Sequence, residues 1–373
     1  MCRCGMMRIA HVCPTRMGID AQEGHSQSPR PAQPARYRDS RRTRHGFAMK
    51  TRIISRDNGF GLSRDMRLLA GALADAGIDV QSLGMSGDHA RNAMHLAWLR
   101  VAQRWRGRPD VQFLLERTYP RSLALAPVNV LIPNPEWTGA AARSALGRFD
   151  MIACKTRHAV DIFSALGCPT QFIGFTSDDR HDPSVVRERR FFHLAGRSAA
   201  KGTQAVLTAW RRHPQWPRLT IVQSAKTAQP GIGTEAGNIE HRVGHIDDAS
   251  LRQLQNSHLF HLCPSEAEGF GHYLVEAMSV GAIVLTTDGA PMNELVTTER
   301  GLLIAPERTA TLNLSPQYFI SPEAIEDAVT GALALDGERC AALSSAARAF
   351  FVANDHQFRQ RVPELAHRLA GHG

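Results

Sequence analysis

The stretch PSEAEGFGHYLVEAMSVGA, residues 264–282, decides how this chain folds. The apolar run HLFHLC leads into it and AIVLTT leaves it, so a strand passes through an acidic, glycine-bearing turn into a helix and on to another strand. Open parallel sheets of this kind bind ligands just beyond the carboxyl ends of their strands. A helix N-terminus there offers unpaired N–H groups and a partial charge of about +0.5, which welcomes an anion or a cluster of hydroxyls. Gly269 and Gly271 remove side chains that would hold such a ligand off the backbone. Carboxylates at Glu268, in the loop, and Glu276, in the helix, accept hydrogen bonds from hydroxyl pairs, the groups that sugars and riboses present. The two are spaced to grip different rings of one extended ligand. A plainer reading makes Glu268 a residue favoured by the helix dipole and Glu276 a solvent-facing residue of a surface helix.

Outward from this stretch, short apolar runs alternate with amphipathic ones. RIIS, SRDMRLLAGALADAG and IDVQSLG read as strand, helix and strand, with Met66, Leu69 and Leu73 at helical spacing and Gly77 placed to end the helix. Further strands are expected at 111–116, 128–132 and 151–155. The polar stretch TSDDRHDPSVVRERR then reads as a join between domains. Alternation restarts with FFHLAG (191–196), a helix over TQAVLTAWRRH, the strands LTIVQ and IEHRV, and the helix DDASLRQLQNS. Helical patterns dominate from Ser321 onward, and no internal repeat stands out. The alternation predicts an α/β protein of two doubly wound parallel-sheet domains, over 49–182 and 183–354.

The 373 residues, 43% of them apolar, suffice for two cores. The formal charge of +9 is unevenly spread: residues 1–48 hold nine arginines against Asp20, Glu23 and Asp39, so this segment alone carries +6. Its Pro, Ser and Gln content predicts a disordered basic extension, with Met49 as an alternative start of translation. A nucleic-acid-binding arm is the rival reading of that segment. Seven scattered cysteines form no CxxC pair, which fits a reduced compartment and excludes a zinc ribbon. No apolar run approaches the roughly 20 residues that cross a bilayer.

A second constellation, HLAGRSAAKGTQAVLTAW, places Gly196 at a strand end, followed by Arg197 and Lys201 before a helix. A planar guanidinium fork and a compact ammonium together suit a diphosphate. In the first half, NGFGLS sets Gly59 and Gly61 where the first strand passes into its helix, open to a phosphate or an acceptor; the third glycine of a dinucleotide fingerprint is missing.

Together, AGRSAAKG, Gly244 after a strand, PSEAEGFGHYLVEAMSVGAIVLTT, and APMNELV followed by GLLIAP resemble the retaining glycosyltransferases of family 4, which have the GT-B architecture of two Rossmann-like domains facing a cleft. The likeness covers residues 191–304 by motif and 49–182 by layout only. It implies that Glu268 hydrogen-bonds the transferred sugar, with Gly269, Phe270 and Gly271 supplying backbone amides. It further implies that Glu276 holds the ribose, that Gly196 belongs to the donor site, and that Arg197 and Lys201 neutralise the donor diphosphate. No metal and no cofactor beyond the nucleotide-sugar co-substrate are implied. Many such enzymes have a histidine facing the sugar after a central strand; here VNVLIPNPEWTG puts Asn134 in that place, and Asn cannot act as a base. Glu136 and Trp137 in the same loop are placed to contact sugar, the carboxylate by hydrogen bonding and the indole by stacking, with packing as the plainer and preferred reading of Trp137.

The expected protein transfers a hexose-type sugar to a glycan or lipid-linked acceptor in the cytoplasm, with peripheral contact on the inner face of the membrane and no nucleic acid. A terminal helix over 355–370 crosses back to the first domain. Rival readings are a non-catalytic nucleotide-sugar binder, and an epimerase or phosphorylase on the same fold.

Overall fold

A computed structural model describes residues 49–56, 59, 61–228 and 237–371. The expected basic extension, with Cys2, Cys4 and Cys13, lies outside the described residues, as do Asn58 and Phe60 of the NGFGLS loop.

In the first lobe the elements run β1 (Lys50–Arg56), α1 (Gly61–Asp75), β2 (Asp79–Met85), α2 (His89–Arg106), β3 (Val111–Leu115), β4 (Val128–Ile132), α3 (Ala140–Arg143), β5 (Met151–Cys154), α4 (Arg157–Ala165) and β6 (Thr170–Phe172). Their sheet is parallel throughout, in the order β2-β1-β3-β4-β5-β6. Residues 173–187 form neither helix nor strand. The second lobe continues with β7 (Glu188–Gly196), α5 (Thr203–Arg212), β8 (Leu219–Gln223), β9 (Ile239–Val243), α6 (Asp248–Ser257), β10 (His258–Cys263), α7 (His272–Ser279), β11 (Ile283–Thr287), α8 (Met292–Leu295) and β12 (Gly301–Ile304). These strands form a second parallel sheet, ordered β12-β11-β10-β7-β8-β9. A hairpin, β13 (Arg308–Leu312) and β14 (Ser315–Phe319), and two helices, α9 (Pro322–Ala334) and α10 (Gly337–Ala370), complete the chain. Two doubly wound lobes of this kind constitute the GT-B fold.

Strands buried on both faces explain the near-continuous apolar runs: every residue of β3, β4, β8 and β11 is buried. α1 buries Leu62, Leu68, Leu69, Ala72 and Leu73 along one stripe, and Asp65 falls on the same stripe.

Two features differ from the sequence reading. The terminal helix is not confined to 355–370: α10 runs unbroken from Gly337, across the expected domain edge at 354, because no glycine interrupts it and Phe351, Phe358, Val362 and Leu365 keep one face buried. The lobes are also less separate than the two-domain layout implied. Ile53, Phe113 and Val130 of the first lobe share one core with Leu274 and Met278 of α7 and with Phe358 and Val362 of α10. The helix that follows the glycine loop is therefore clamped between α10 and its own sheet, which fixes the loop it leaves.

Candidate active site

Strand order in the second sheet reverses between β7 and β10, so the loops that follow these two strands converge at one crevice. They are tied together directly: the N–H of Glu266 donates to the Ala200 carbonyl at 3.1 Å. Gly202 has φ +65°, and a Cβ there would lie 2.5 Å from the Pro264 carbonyl oxygen, so only glycine allows the loops to close on each other. α5 and α7 leave this crevice on Gly202 and Gly271 with no side-chain cap. By contrast, Asp88, Thr156, Asp247, Ser321 and Asp336 cap α2, α4, α6, α9 and α10. Two uncapped, partly positive helix ends meet at the switch point, which suits an anion.

The charged side chains there come in one tight group. Lys201 pairs with Glu268, its ammonium 3.6 Å from the Tyr273 ring centroid. The Ser265 hydroxyl donates to Glu268 Oε1 at 2.5 Å and shares a hydrogen bond with the Tyr273 hydroxyl. Thr287 Oγ1 donates to the Ser265 carbonyl at 2.6 Å, and the β13–β14 hairpin holds the loop from above through Gln317 Nε2 to Glu266 Oε2 at 2.7 Å. Beneath, His193 bridges the Leu262 carbonyl at 2.8 Å and Thr203 Oγ1 at 2.9 Å. Burial pushes His193 down to about 4, so it is neutral at physiological pH and leaves Lys201 as the cation of this group. Arg197 lies exposed on the loop that carries Lys201.

The first lobe closes onto the same loop. A Cβ on Gly269 would fall 2.4 Å from Asn134 Oδ1, so the asparagine sits directly on the glycine backbone. Asn134 Nδ2 donates to Glu116 Oε2 at 3.3 Å, and Asn134 Oδ1 has no hydrogen-bond partner among the described residues. Glu136 is buried, and its Oε2 also lacks a partner among them. Burial, reinforced by the negative charge of Glu268, pushes its carboxyl up to about 7. Next to it Lys155 and Asp65, both buried, pair at 2.5 Å, and His272 Nε2 lies 2.5 Å from the other Asp65 oxygen while its Nδ1 bonds Ser177 Oγ at 2.7 Å. Burial alone would raise the Asp65 carboxyl, but Lys155 and His272 outweigh it and hold the group well below the usual carboxylate range.

Glu276 sits elsewhere than its loop partner. It is 3% exposed, not solvent-facing, and is engaged by Arg64 of α1 and by Gln255 Nε2 at 3.1 Å. Arg64 also lies 4.0 Å from Asp178, both of whose oxygens accept from one nitrogen of Arg67, Nη2, at 2.8 and 2.6 Å. The site residues therefore divide. Lys201, Glu268 and Gly269 meet Asn134 and Glu136 in one place, Phe270 is buried against Phe175 at 5.5 Å between ring centroids, and Glu276 faces the first lobe through Arg64. Gly196, with φ +57°, ends β7. Gly59 and Gly61 lie at the other switch point, between β1 and β3, with no described residue within 4 Å of where a Cβ would stand. Trp137 is exposed.

Residues that sequence reasoning missed are Arg64, Asp65, Glu116 and Lys155. Asp65 did leave a signal: an acid on the apolar stripe of α1 must meet a partner when buried. No motif marks the other three.

Residues 235–350 match the family model described as Glycosyl transferases group 1. No curated protein matches the chain. Among solved structures, a glycosyltransferase from Rickettsia africae ESF-5 is similar at 12% identity and a TM-score of 0.66, over 86% of this chain and 98% of that one. Sucrose-phosphate synthase from Thermosynechococcus elongatus is similar at 14% identity and 0.67, over 87% and 100%. Anabaena HepE, solved in complex with UDP and glucose, is similar at 15% identity and 0.61, over 85% and 99%. At these identities the likeness is one of fold.

Proposed function

We propose that this chain is a glycosyltransferase that moves a hexose-type sugar from a nucleotide-diphosphate sugar to an acceptor hydroxyl, with retention of configuration and without a metal, in polysaccharide or glycoconjugate assembly. The observation that carries the reading is the Lys201–Glu268 pair, lodged at the switch point of the second sheet between two uncapped helix ends. The family match over 235–350 and the fold of the solved relatives support it.

In this reading Lys201 and Arg197 take the donor diphosphate, and Glu268 turns its carboxylate to the hydroxyls of the transferred sugar. Glu276 accepts the ribose hydroxyls in place of Arg64, so donor binding parts α1 from α7. As the bond from the anomeric carbon to the diphosphate oxygen breaks, the acceptor oxygen bonds that carbon on the same face and its proton passes to the departing diphosphate. Cations held at the leaving oxygens stabilise the charge that develops there. Glu136, whose carboxyl is pushed up to about 7, retains a protonated fraction at neutrality that donates a hydrogen bond to a substrate oxygen. A thermal-shift screen of nucleotide sugars tests the reading. At least one should raise the melting temperature, since a ligand of the folded state stabilises it, and Lys201→Ala or Glu276→Ala should abolish that rise. Transfer by Lys201→Ala should fall by about 10²–10³-fold. Stabilisation undiminished in both variants would refute the donor site, and binding without transfer would favour the non-catalytic rival.

A peripheral membrane contact in the cytoplasm belongs to the same reading, and α2 supports it. Met94, Trp98, Val101 and Trp105 stand on one face at helical spacing, Trp98 and Trp105 being 51% and 79% exposed. Arg91, Arg100, Arg104 and Arg106 accompany them, and the helix has no acid. Apolar aromatic residues with a basic surround are the pattern of helices that lie in a membrane interface. Among the described residues no helix is long and apolar enough to cross a membrane. Vesicles containing phosphatidylglycerol should sediment the protein, and Trp98→Ser with Trp105→Ser should release it; equal sedimentation of both proteins would remove α2 from the picture.

A further inference from the structure

A cavity of about 1290 Å³ opens on the first lobe at the carboxyl ends of β1, β2 and β3, beside the loop that carries Asn134 and Glu136. Four arginines from separate segments line it: Arg56 at the end of β1, Arg117 and Arg121 after β3, and Arg148 in the turn before β5. All four are exposed, and none is in an ion pair among the described residues. Among the described residues the cavity has a single carboxylate, Glu116, whose pKa burial raises and which Asn134 engages. Trp137, Tyr119 and Leu96 add apolar and aromatic wall.

Gathering four like charges around one cavity costs folding energy through self-repulsion and focuses a positive potential inside it. The backbone that displays them is unusual as well: Glu116 and Tyr119, neither a glycine, have φ of 61° and 32°. Left-handed backbone at such residues is strained, and strain of this kind clusters at ligand sites. Burial raises the Tyr119 phenol while Arg117 and Arg56 pull the other way, so both guanidiniums act on its hydroxyl. At this size the cavity exceeds the roughly 300–1,000 Å³ of a drug-sized site and admits more than one sugar ring.

We propose that this cavity receives the acceptor and that the acceptor carries phosphate, bound by the planar forks of Arg117, Arg121 and Arg148 while its uncharged part lies along Trp137. The proposal rests on the glycosyltransferase reading for the word acceptor, but the phosphate site stands on its own. Phosphate on a sugar and phosphate on a lipid share this chemistry. Because Asn92, Ala93 and Leu96 of α2 form one wall, a membrane-anchored phosphate would reach the cavity from the face that α2 presents.

Titration calorimetry on the full chain with glucose 6-phosphate, farnesyl phosphate and glucose tests it. Glucose 6-phosphate should bind at least about tenfold more tightly than glucose, since its phosphate makes charge-assisted hydrogen bonds that glucose cannot. Arg117→Ala with Arg148→Ala should remove that advantage, the corresponding lysine pair should recover part of it, and nucleotide-sugar stabilisation should persist in both. Tighter binding of farnesyl phosphate than of glucose 6-phosphate assigns a lipid acceptor, and the reverse order a soluble one. Equal affinity for glucose and glucose 6-phosphate, or loss of phosphate binding only in Arg197→Ala with Lys201→Ala, overturns the proposal while leaving the donor reading intact. Phosphate binding that depends on Arg117 and Arg148, with no response to any nucleotide sugar, supports the cavity and sinks the donor reading.

Discussion

The crevice between β7 and β10 and the cavity beyond β1 and β3 occupy equivalent places in two similar sheets, yet they are built differently. The crevice draws its chemistry from two short loops, in which Lys201 is already neutralised by Glu268 and bare helix ends supply the positive field. The cavity draws its charge from side chains spread between Arg56 and Arg148, with no pairing among them and the helix α2 capped by Asp88. One site is preorganised by backbone, the other by convergence of side chains. A backbone site recognises what every substrate of the class has in common, whereas a side-chain site is free to specify one acceptor.

Asp65 lies on the seam between the two, bonded to Lys155 of its own lobe and to His272 at the start of α7. Asp65→Asn leaves Lys155 buried without its carboxylate, and urea unfolding should register a loss of about 3–5 kcal/mol. If the destabilised protein still responds to a nucleotide sugar, the crevice is independent of the seam; if that response is lost as well, the two regions are one cooperative site.

A smaller effect follows from Glu136. Its folded-state pKa of about 7 stands above the ordinary carboxyl value, so the folded protein holds more protons and its stability declines as pH rises through that window. The decline should total on the order of 2–3 kcal/mol between roughly pH 4.5 and 8. Glu136→Gln, a neutral isostere, should flatten the slope and be the more stable protein at pH 8. An unchanged slope would move the titrating group elsewhere.

The smallest effect concerns the contact itself. Gly269→Ala drives a methyl into Asn134 and should cost about 1–3 kcal/mol, with transfer reduced because the first lobe can no longer seat. Asn134→Gly removes the obstructing atoms, so the double variant should regain stability measured by thermal melting. Additive losses would mean that the two residues are not in contact in solution.

Much of the fold is legible in the sequence. Apolar runs of strand length punctuated by amphipathic stretches mark every strand from β1 to β11 except the three-residue β6, and Gly202, Gly269 and Gly271 mark the loops. α2 was overlooked because its apolar residues cover two faces, Leu96 and Leu99 inward and Met94, Trp98 and Trp105 outward, so no single stripe emerges. The β13–β14 hairpin leaves no such mark because its strands are mostly unburied and carry no apolar run, and its turn rests on Asn313, at φ 54°, without the usual glycine. Of the candidate site, the local part could be read and the rest could not: nothing near Glu276 in the chain announces Arg64, which is 212 positions away.

What the sequence by itself determined is the local part, because strand, turn and helix preferences and the place of a loop at a strand end act over a few residues. That covers two parallel sheets, the glycine loops, and the acids and bases those loops carry. Tertiary structure alone decided that Glu268 meets Lys201 while Glu276 meets Arg64, that Glu136 holds its proton to about pH 7, and that four arginines share one cavity. Pairing and proton affinity depend on distance and on exclusion of water, and both are set by how separate segments pack.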